Sequence, residues 1–490
     1  LQRRITSLGE LLTGLLSAPP EQQLPAIQAK LRTDIESFTK ERDTLKKEIE
    51  RRFPDYAELV EPKPATVERT QRLLRGDEVL VSWYFADKES YVWAISRQGA
   101  PIFKSVPMGR GEMASQVAHL RKALDPGVST IDEIPEFDMV AAHKLYRQIL
   151  APVADGLKGK SILLVVPHAE LGQLPMSVLV TREQPSKSDP VKFAAYKGGA
   201  WLARDIAIAQ LPSVTALNAL RSTPPASPNR KAFIGFGDPF FSAEQQKTAE
   251  RVASRGASTQ LATRGVPLQL RNAPKTSGVD SAELALLPRL PDTQEEIQEI
   301  AKVLTASSED VFLNGRASVK SVLAADLSNR KVVMFATHGL VPGELDGLTQ
   351  PALAMSSPEV TGDKDDGLLT MEKVMSLKLD ADWVVLSACN TASGEGSGSE
   401  AVSGLGRAFF YAGARALLVS NWPVDSVAAR ELMTDLFRRQ QTGNTNLAKP
   451  EALRQAMMEL VDRGGMKTGG AMRYSYAHPL FWAPFVVVGD

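Results

Sequence analysis

Two stretches decide the reading of this chain: "VVMFATHG" at 332–339 and "WVVLSAC" at 383–389. Each is an unbroken apolar run that ends in a chemically able side chain, His338 in the first and Cys389 in the second. Such runs mark strands covered on both faces, because a half-exposed strand would alternate apolar with polar residues. Helical patterns lie between and after them. "TMEKVMSLKL" (370–379) opens on Thr370, "SGLGRAFFYAGA" (403–414) follows the cysteine, and "DSVAARELMTDLFRRQQ" (425–441) opens on Asp425. Thr and Asp at those positions are helix caps. "RALLVSNWPV" (415–424) reads as another buried strand and "PLFWAPFVVVGD" (479–490) as a closing one. This alternation predicts an α/β fold, a mainly parallel sheet with helices on both faces. In such sheets the reactive groups gather at the carboxyl ends of the strands.

The interval from His338 to Cys389 is 389 − 338 = 51 residues, room for one strand–loop–helix–strand unit. If the two strands are neighbours, imidazole and thiol emerge on the same edge. A thiol with the usual pKa of about 8.5 is mostly protonated at neutral pH. A neighbouring histidine takes that proton or stabilises the thiolate, which makes the sulfur a nucleophile. Attack on a carbonyl then needs donors for the oxyanion. The N–H of Gly339, where the backbone can approach closely, and that of Cys389 are the candidates. Taken singly, a buried cysteine or a strand-end histidine is ordinary core. The pair at two strand ends, with glycine after the histidine, is what points to covalent catalysis.

The rest of the chain sets bounds. At 490 residues it predicts two or three domains. The 57 basic and 57 acidic side chains cancel, so charge supplies no case for nucleic acid or an anionic membrane. Cys389 is the only cysteine, which excludes an internal disulfide and fits a reducing cytosol. No apolar run reaches about 18 residues, so no membrane span is expected. No signal peptide is visible, and the start at Leu1 is what a fragment or processed form would show.

Residues 1–75 read as a charged helical segment, with Leu31, Ile35, Phe38, Leu45 and Ile49 at helical spacing and a boundary near 55–64. That segment is either a docking hairpin or the tail of a helical repeat array. From Val79 to Met108 the pattern is antiparallel strands, and helices follow around 112–124 and 137–155. "SILLVVP" (161–167) and "KAFIGFGDP" (231–239) are buried strands. Polar stretches 181–199 and 242–285 read as long surface loops. A helix is expected over 291–304, capped by Asp292 or Thr293, and another over 450–463. His119, His143 and His478 show no zinc-ligand spacing with Cys389, and "GEGSGSE" (394–400) lacks the Lys-Ser/Thr of a phosphate-binding loop.

Read together, "FATHG" (335–339), "DGLLTMEKVMSL" (366–377), "VVLSACNTASG" (384–394), "GLGRAFFYAGARALLVSNWPVD" (404–425) and "HPLFWAPFVVVGD" (478–490) closely resemble the CHAT domain. "PHAELGQLPMSVL" (167–179), "IAQLPSVTAL" (208–217) and "GFGDPFF" (235–241) resemble it as well, so the likeness runs from about Val79 to Asp490. The resemblance implies a caspase-like cysteine protease fold, related to separase and commonly preceded by tetratricopeptide repeats. It implies that His338 is the catalytic histidine and Cys389 the nucleophile. It also implies a degenerate protease copy over 76–230 and an active copy over 231–490. An internal echo agrees: "LLVVPHAEL" (163–171) parallels "VMFATHGLV" (333–341), but no cysteine lies in that half, so His168 reads as structural. The family wording after the cysteine is Thr then Gly. Here it is "CNTASG", an adjustment to a loop.

The implied activity is a cysteine endopeptidase acting on specific protein substrates, with no cofactor and no metal. Relatives that accept Arg or Lys do so through an acidic pocket, for which Asp366, Glu395 and Glu400 are candidates. Asp366 is equally a turn residue before Gly367, and Asp425 reads as a helix cap. "SGEGSGSE" (393–400) is either a flexible connection or a loop that a partner orders. The helical N-terminus is the expected place for a regulatory protein partner. The alternative is a non-catalytic CHAT scaffold for protein contacts.

Overall fold

A computed structural model describes residues 2–17, 24–52, 65–183, 189–255, 281–340, 348, 350–387, 404–442 and 447–490. The chain divides into two compact units, Leu1–Lys63 and Pro64–Asp490.

The first unit holds helices α1 (Gln2–Ser17) and α2 (Pro25–Arg52). Arg4 lies over the Phe38 ring at 5.9 Å, and Gln28 Nε2 reaches the Leu15 carbonyl at 3.5 Å. The apolar stripe of α2 is half-buried at Leu31, Ile35 and Phe38, while Leu45 and Ile49 are exposed.

The second unit is built on an 11-stranded sheet. Its strands are β1 (Glu78–Phe85), β2 (Ser90–Ser96), β3 (Ile102–Val106), β4 (Ile162–Val166), β5 (Ala207–Gln210), β6 (Lys231–Gly237), β7 (Val311–Leu313), β8 (Arg330–Ala336), β12 (Trp383–Leu386), β13 (Ala416–Ser420) and β16 (Phe485–Gly489). They lie in the order β3-β2-β1-β4-β5-β16-β13-β12-β8-β6-β7. A second sheet joins β9 (Gly339–Leu340), β10 (Ala352–Ala354) and β11 (Leu368–Thr370), and β14 (Gly465–Thr468) forms a hairpin with β15 (Ala471–Ser475).

Strand direction divides the large sheet. β1, β4, β5 and β16 run parallel, with β2 and β3 antiparallel at one end. β13, β12, β8, β6 and β7 also run parallel to one another. The two blocks meet at β13 and β16, which pair antiparallel from Ala416↔Gly489 to Ser420↔Phe485. Every residue of β12 and β13 is buried, so both faces of the sheet are covered there, as the unbroken apolar runs require. Trp201, Trp383, Trp422, Trp482, Phe335 and Phe409 are among its fully buried side chains.

Helix α3 (Val67–Leu73) belongs to this second unit, where Gln71 Nε2 donates to the Ser96 and Gly99 carbonyls. The stretch expected as loop from 242 carries a helix, α4 (Ala243–Arg255), whose polar composition masks its periodicity. Helix α5 (Pro291–Val303) is capped by Leu290, not by Asp292 or Thr293. Pro291 has no N–H to satisfy and a preset φ, so it takes the first helical position and shifts the cap back. Thr370 does cap helix α6 (Met371–Met375), accepting from the Lys373 N–H. Helices α7 (Gly404–Ala412), α8 (Ser426–Thr442) and α9 (Lys449–Arg463) follow. Asp425 caps α8 by accepting the Ala428 N–H at 3.0 Å. Within the expected closing strand, 479–482 forms a short helix, α10 (Pro479–Trp482), because His478 caps it and proline again takes its first position. The hairpin β14–β15 turns at Gly469 and Gly470, both at positive φ.

Candidate active site

β8 and β12 are parallel neighbours, in register from Val332↔Trp383 to Phe335↔Leu386. The pairing continues one residue further, where the Ser387 N–H donates to the Phe335 carbonyl at 2.9 Å. Ser387 is fully buried, and its hydroxyl donates to the carboxylate of Glu296, itself fully buried on α5, at 3.1 Å to one oxygen. Past β8, Thr337 Oγ1 donates to the Ala354 carbonyl at 2.5 Å, and the His338 carbonyl accepts the Ala354 N–H at 2.9 Å.

The His338 ring has no exposed surface and packs 5.5 Å from the Phe241 ring. Its Nε2 lies 2.8 Å from the Pro288 carbonyl. A carbonyl can only accept, so Nε2 carries the proton and Nδ1 is the basic nitrogen of the neutral ring. That bond also holds the ring in one orientation and stabilises its protonated form. Because Ala354 N–H already bonds His338, antiparallel alternation makes Gly339↔Leu353 the non-hydrogen-bonded pair of β9 and β10. The Gly339 N–H thus faces away from β10.

Cys389, Glu395 and Glu400, with all of 393–400, lie outside the described residues. Asp366 is exposed. Its Oδ1 accepts the Leu368 N–H at 3.0 Å and the Lys373 ammonium at 2.5 Å, so it is a turn residue whose charge is partnered by a lysine on α6.

Other histidines take other roles. His168, at the end of β4, accepts the Phe85 N–H on Nδ1 at 3.1 Å, and burial, with Arg110 adding to it, pushes its pKa down. His478 is fully buried, accepts the Leu480 N–H on Nδ1 and donates from Nε2 to the Pro135 carbonyl, and burial pushes its pKa down to about 3. His119 contacts Asp138 at 2.9 Å, and His143 contacts the Val180 carbonyl at 2.8 Å. Among the described residues no cluster of His, Cys, Asp and Glu could hold a metal ion, and no helix is long and apolar enough to cross a membrane.

Sequence reasoning missed Pro288, whose contribution is a backbone carbonyl and carries no residue signature. It also missed Glu296, for which a signal exists. Helical spacing in "PDTQEEIQEI" puts Glu296 on the same face as Thr293, Ile297 and Ile300, all buried.

A family model for the CHAT domain matches residues 140–490, well over half of the chain. The chain belongs to the CHAT domain family. Among curated proteins, this CHAT chain is 27% identical over 231 residues to human tetratricopeptide repeat protein 28, and 28% identical over 230 residues to the mouse protein. Both matches cover 41% of this chain but only 8% and 9% of those proteins. Among solved structures, the Saccharomyces cerevisiae separase–securin complex matches with a TM-score of 0.43 at 10% identity, over 99% of this chain and 37% of that one. The Arg-specific cysteine proteinase gingipain R matches with a TM-score of 0.37 at 11% identity, over 78% of this chain and 74% of that one. Overlaps this loose carry no residue's role from those proteins to this one.

Proposed function

We propose that this CHAT chain is a cysteine endopeptidase of the caspase-like kind, working through a Cys389–His338 dyad. One observation carries the reading. β8 and β12 are parallel neighbours, and counted from their last paired residues, Phe335 and Leu386, His338 and Cys389 each lie three positions on.

Chemically, the Cys389 thiol gives its proton to Nδ1 of His338 and the sulfur attacks the peptide carbonyl. The N–H groups of Gly339 and Cys389 receive the oxyanion. His338, held by the Pro288 carbonyl, passes the proton to the departing amine. It then takes a proton from water, which hydrolyses the thioester and restores the thiol. The proton and electron balance closes without a cofactor.

The chemistry belongs to the part of the chain from 231, and the 76–230 part acts as its degenerate partner. Cleavage after a basic residue falls to Glu395 and Glu400, since Asp366 is already engaged by Lys373. Substrates are specific proteins, and the relatives' name supports a regulatory partner that docks through the N-terminal helices. A lone thiol nucleophile works where it stays reduced, which favours the cytoplasm.

A second reading, a non-catalytic scaffold, is favoured by the complete burial of the His338 ring. Labelling separates them. Wild type, Cys389→Ala and His338→Ala are incubated with chloromethyl ketones bearing Arg or Lys, with and without a partner captured by the N-terminal helices, and the intact proteins are weighed. A protease labels once, faster in wild type than in His338→Ala and not at all in Cys389→Ala. Equal labelling of wild type and His338→Ala under both conditions means a scaffold. New N-termini in cells carrying wild type but not Cys389→Ala then identify the substrate.

A further inference from the structure

The Pro288 carbonyl that holds His338 belongs to a stretch without regular structure, 287–290, so something outside that stretch must fix it. Its neighbour Arg289 supplies the anchor. The guanidinium grips the Asp238 carboxylate with two parallel bonds, at 2.9 and 2.6 Å, and lies 4.9 Å over the Phe240 ring. Asp238 has no exposed surface and sits at a left-handed φ of 46°, directly after β6. Three further bonds hold the same stretch. Thr293 Oγ1 accepts the Asp238 N–H at 2.8 Å and donates to the Leu290 carbonyl at 2.7 Å. Gln245 Nε2 donates to the Leu287 carbonyl at 2.7 Å.

A buried carboxylate needs a reason to persist. Desolvation raises its pKa and the Arg289 charge opposes the rise. A fork-to-fork pair gives direction as well as attraction, which a hydrophobic contact would not. Here that direction sets the chain entering Pro288. We propose that Asp238 and Arg289 are positioning residues for the dyad, clamping the Pro288 carbonyl so that His338 keeps its proton on Nε2 and its basic Nδ1 turned to the reaction. This rests on the dyad reading above and adds a second layer to it: β6, which contributes nothing to the chemistry directly, orients the base through two residues.

Cys389 is the only thiol, so its alkylation by iodoacetamide reports the dyad without a known substrate. The full chain is measured from pH 5.5 to 9 as wild type, Asp238→Asn, Arg289→Lys and His338→Ala, and as the Asp238→Asn/His338→Ala double variant, with Tm recorded for each. Asn tolerates the left-handed backbone, and the arginine it would strand is partly exposed, at 27%, so Asp238→Asn is expected to fold. Arg289→Lys keeps the charge and loses the fork, which provides an independent arm.

The clamp predicts alkylation at pH 7 slowed about tenfold in Asp238→Asn. It also predicts a smaller loss in Arg289→Lys and a pH midpoint moved toward the free-thiol value of about 8.5. In the His338→Ala background Asp238→Asn should change nothing further, because the clamp acts only through that ring. Asp238→Asn and Arg289→Lys both alkylating at the wild-type rate, with His338→Ala slow, would remove the clamp and leave the dyad standing. An equal slowing with and without His338 would make the pair purely structural. Identical rates for wild type and His338→Ala would remove the dyad itself, and the clamp with it.

Discussion

His168 and His338 each close a buried strand, β4 and β8, in sequence settings similar enough to read as an echo. The two strands lie in different blocks of the sheet, which meet where β13 pairs antiparallel with β16. The rings also use their nitrogens in opposite ways. His338 donates from Nε2 to a carbonyl, while His168 spends Nδ1 accepting the Phe85 N–H. A ring whose basic nitrogen already accepts a backbone proton is poorly placed to take one from a thiol. The neighbouring strands differ too. β12 leads to Cys389, while β5, beside β4, leads into "QLPSV" with no nucleophilic thiol. On the proposed dyad, a strand-end histidine serves catalysis or structure according to which way its ring bonds and what the next strand carries.

The sharpest way to break this comparison is to exchange roles by deletion. His338→Ala is expected to reduce proteolysis of the substrate by at least about a thousandfold, the scale on which dyad members fail. His168→Ala should leave it within about twofold of wild type, once corrected for the folded fraction. Equal losses from both would show that the two strand ends are coupled in function.

Next in size is the anchoring of the first block. Glu78 is almost completely buried at the start of β1 and receives Arg221 through two bonds, at 2.9 and 2.6 Å, with Arg221 also reaching Asp490 at 2.8 Å. Removing one member of a buried pair leaves a charge uncompensated. Arg75 reaches Glu78 as well and softens the loss. Arg221→Ala should therefore cost about 3 kcal/mol of unfolding free energy, read by urea titration. Catalysis per folded molecule should be unchanged, since none of these groups is bonded to His338, to Pro288 or to the Asp238–Arg289 pair. A loss of turnover in fully folded protein would contradict the division between the blocks.

A smaller effect belongs to His478, which lies before β16, the strand that joins the blocks. Its folded pKa of about 3 lies below the ordinary 6.5. Between those values the unfolded chain binds a proton that the native state refuses. This contribution is therefore complete above pH 6.5 and declines as pH falls, by about 1.4 kcal/mol per unit. His478→Asn keeps a capping acceptor and should remove that slope. Urea titrations at pH 7, 6 and 5 would show the two proteins converging as pH drops, and parallel curves would mean that His478 protonates without cost.

Much of this was legible in the sequence because each local signal agreed with the next. Unbroken apolar runs mean strands buried on both faces, and β8, β12 and β13 are so. Thr370 and Asp425 announce their helices. Other features were hidden for physical reasons. The antiparallel seam between β13 and β16 depends on which strand pairs with which, and apolar content does not encode partner choice. β5 is only four residues long, and α4 is too polar to show a stripe. The support of His338 comes from a carbonyl, which any residue could supply. The β14–β15 hairpin went unread, although Gly469–Gly470 at its turn is a sequence signal for one.

The smallest effect tests Asp366, the acid whose place between the two strands made it a specificity candidate. Its carboxylate bonds the Leu368 N–H and Lys373, both within seven residues, and more than half of its side chain faces water. An exposed pair of this kind is screened and costs side-chain entropy to hold, so Asp366→Asn should change stability by less than about 0.5 kcal/mol. Asn can still accept the Leu368 N–H, so the turn survives. Labelling by an Arg chloromethyl ketone should then stay within about twofold of wild type. Selectivity for Arg over a neutral side chain should fall instead in Glu395→Gln or Glu400→Gln. If Asp366→Asn alone abolished that selectivity, Lys373 would have to release the carboxylate when substrate binds. The turn after β10 would then be part of the pocket that distinguishes the His338 rim from its silent counterpart.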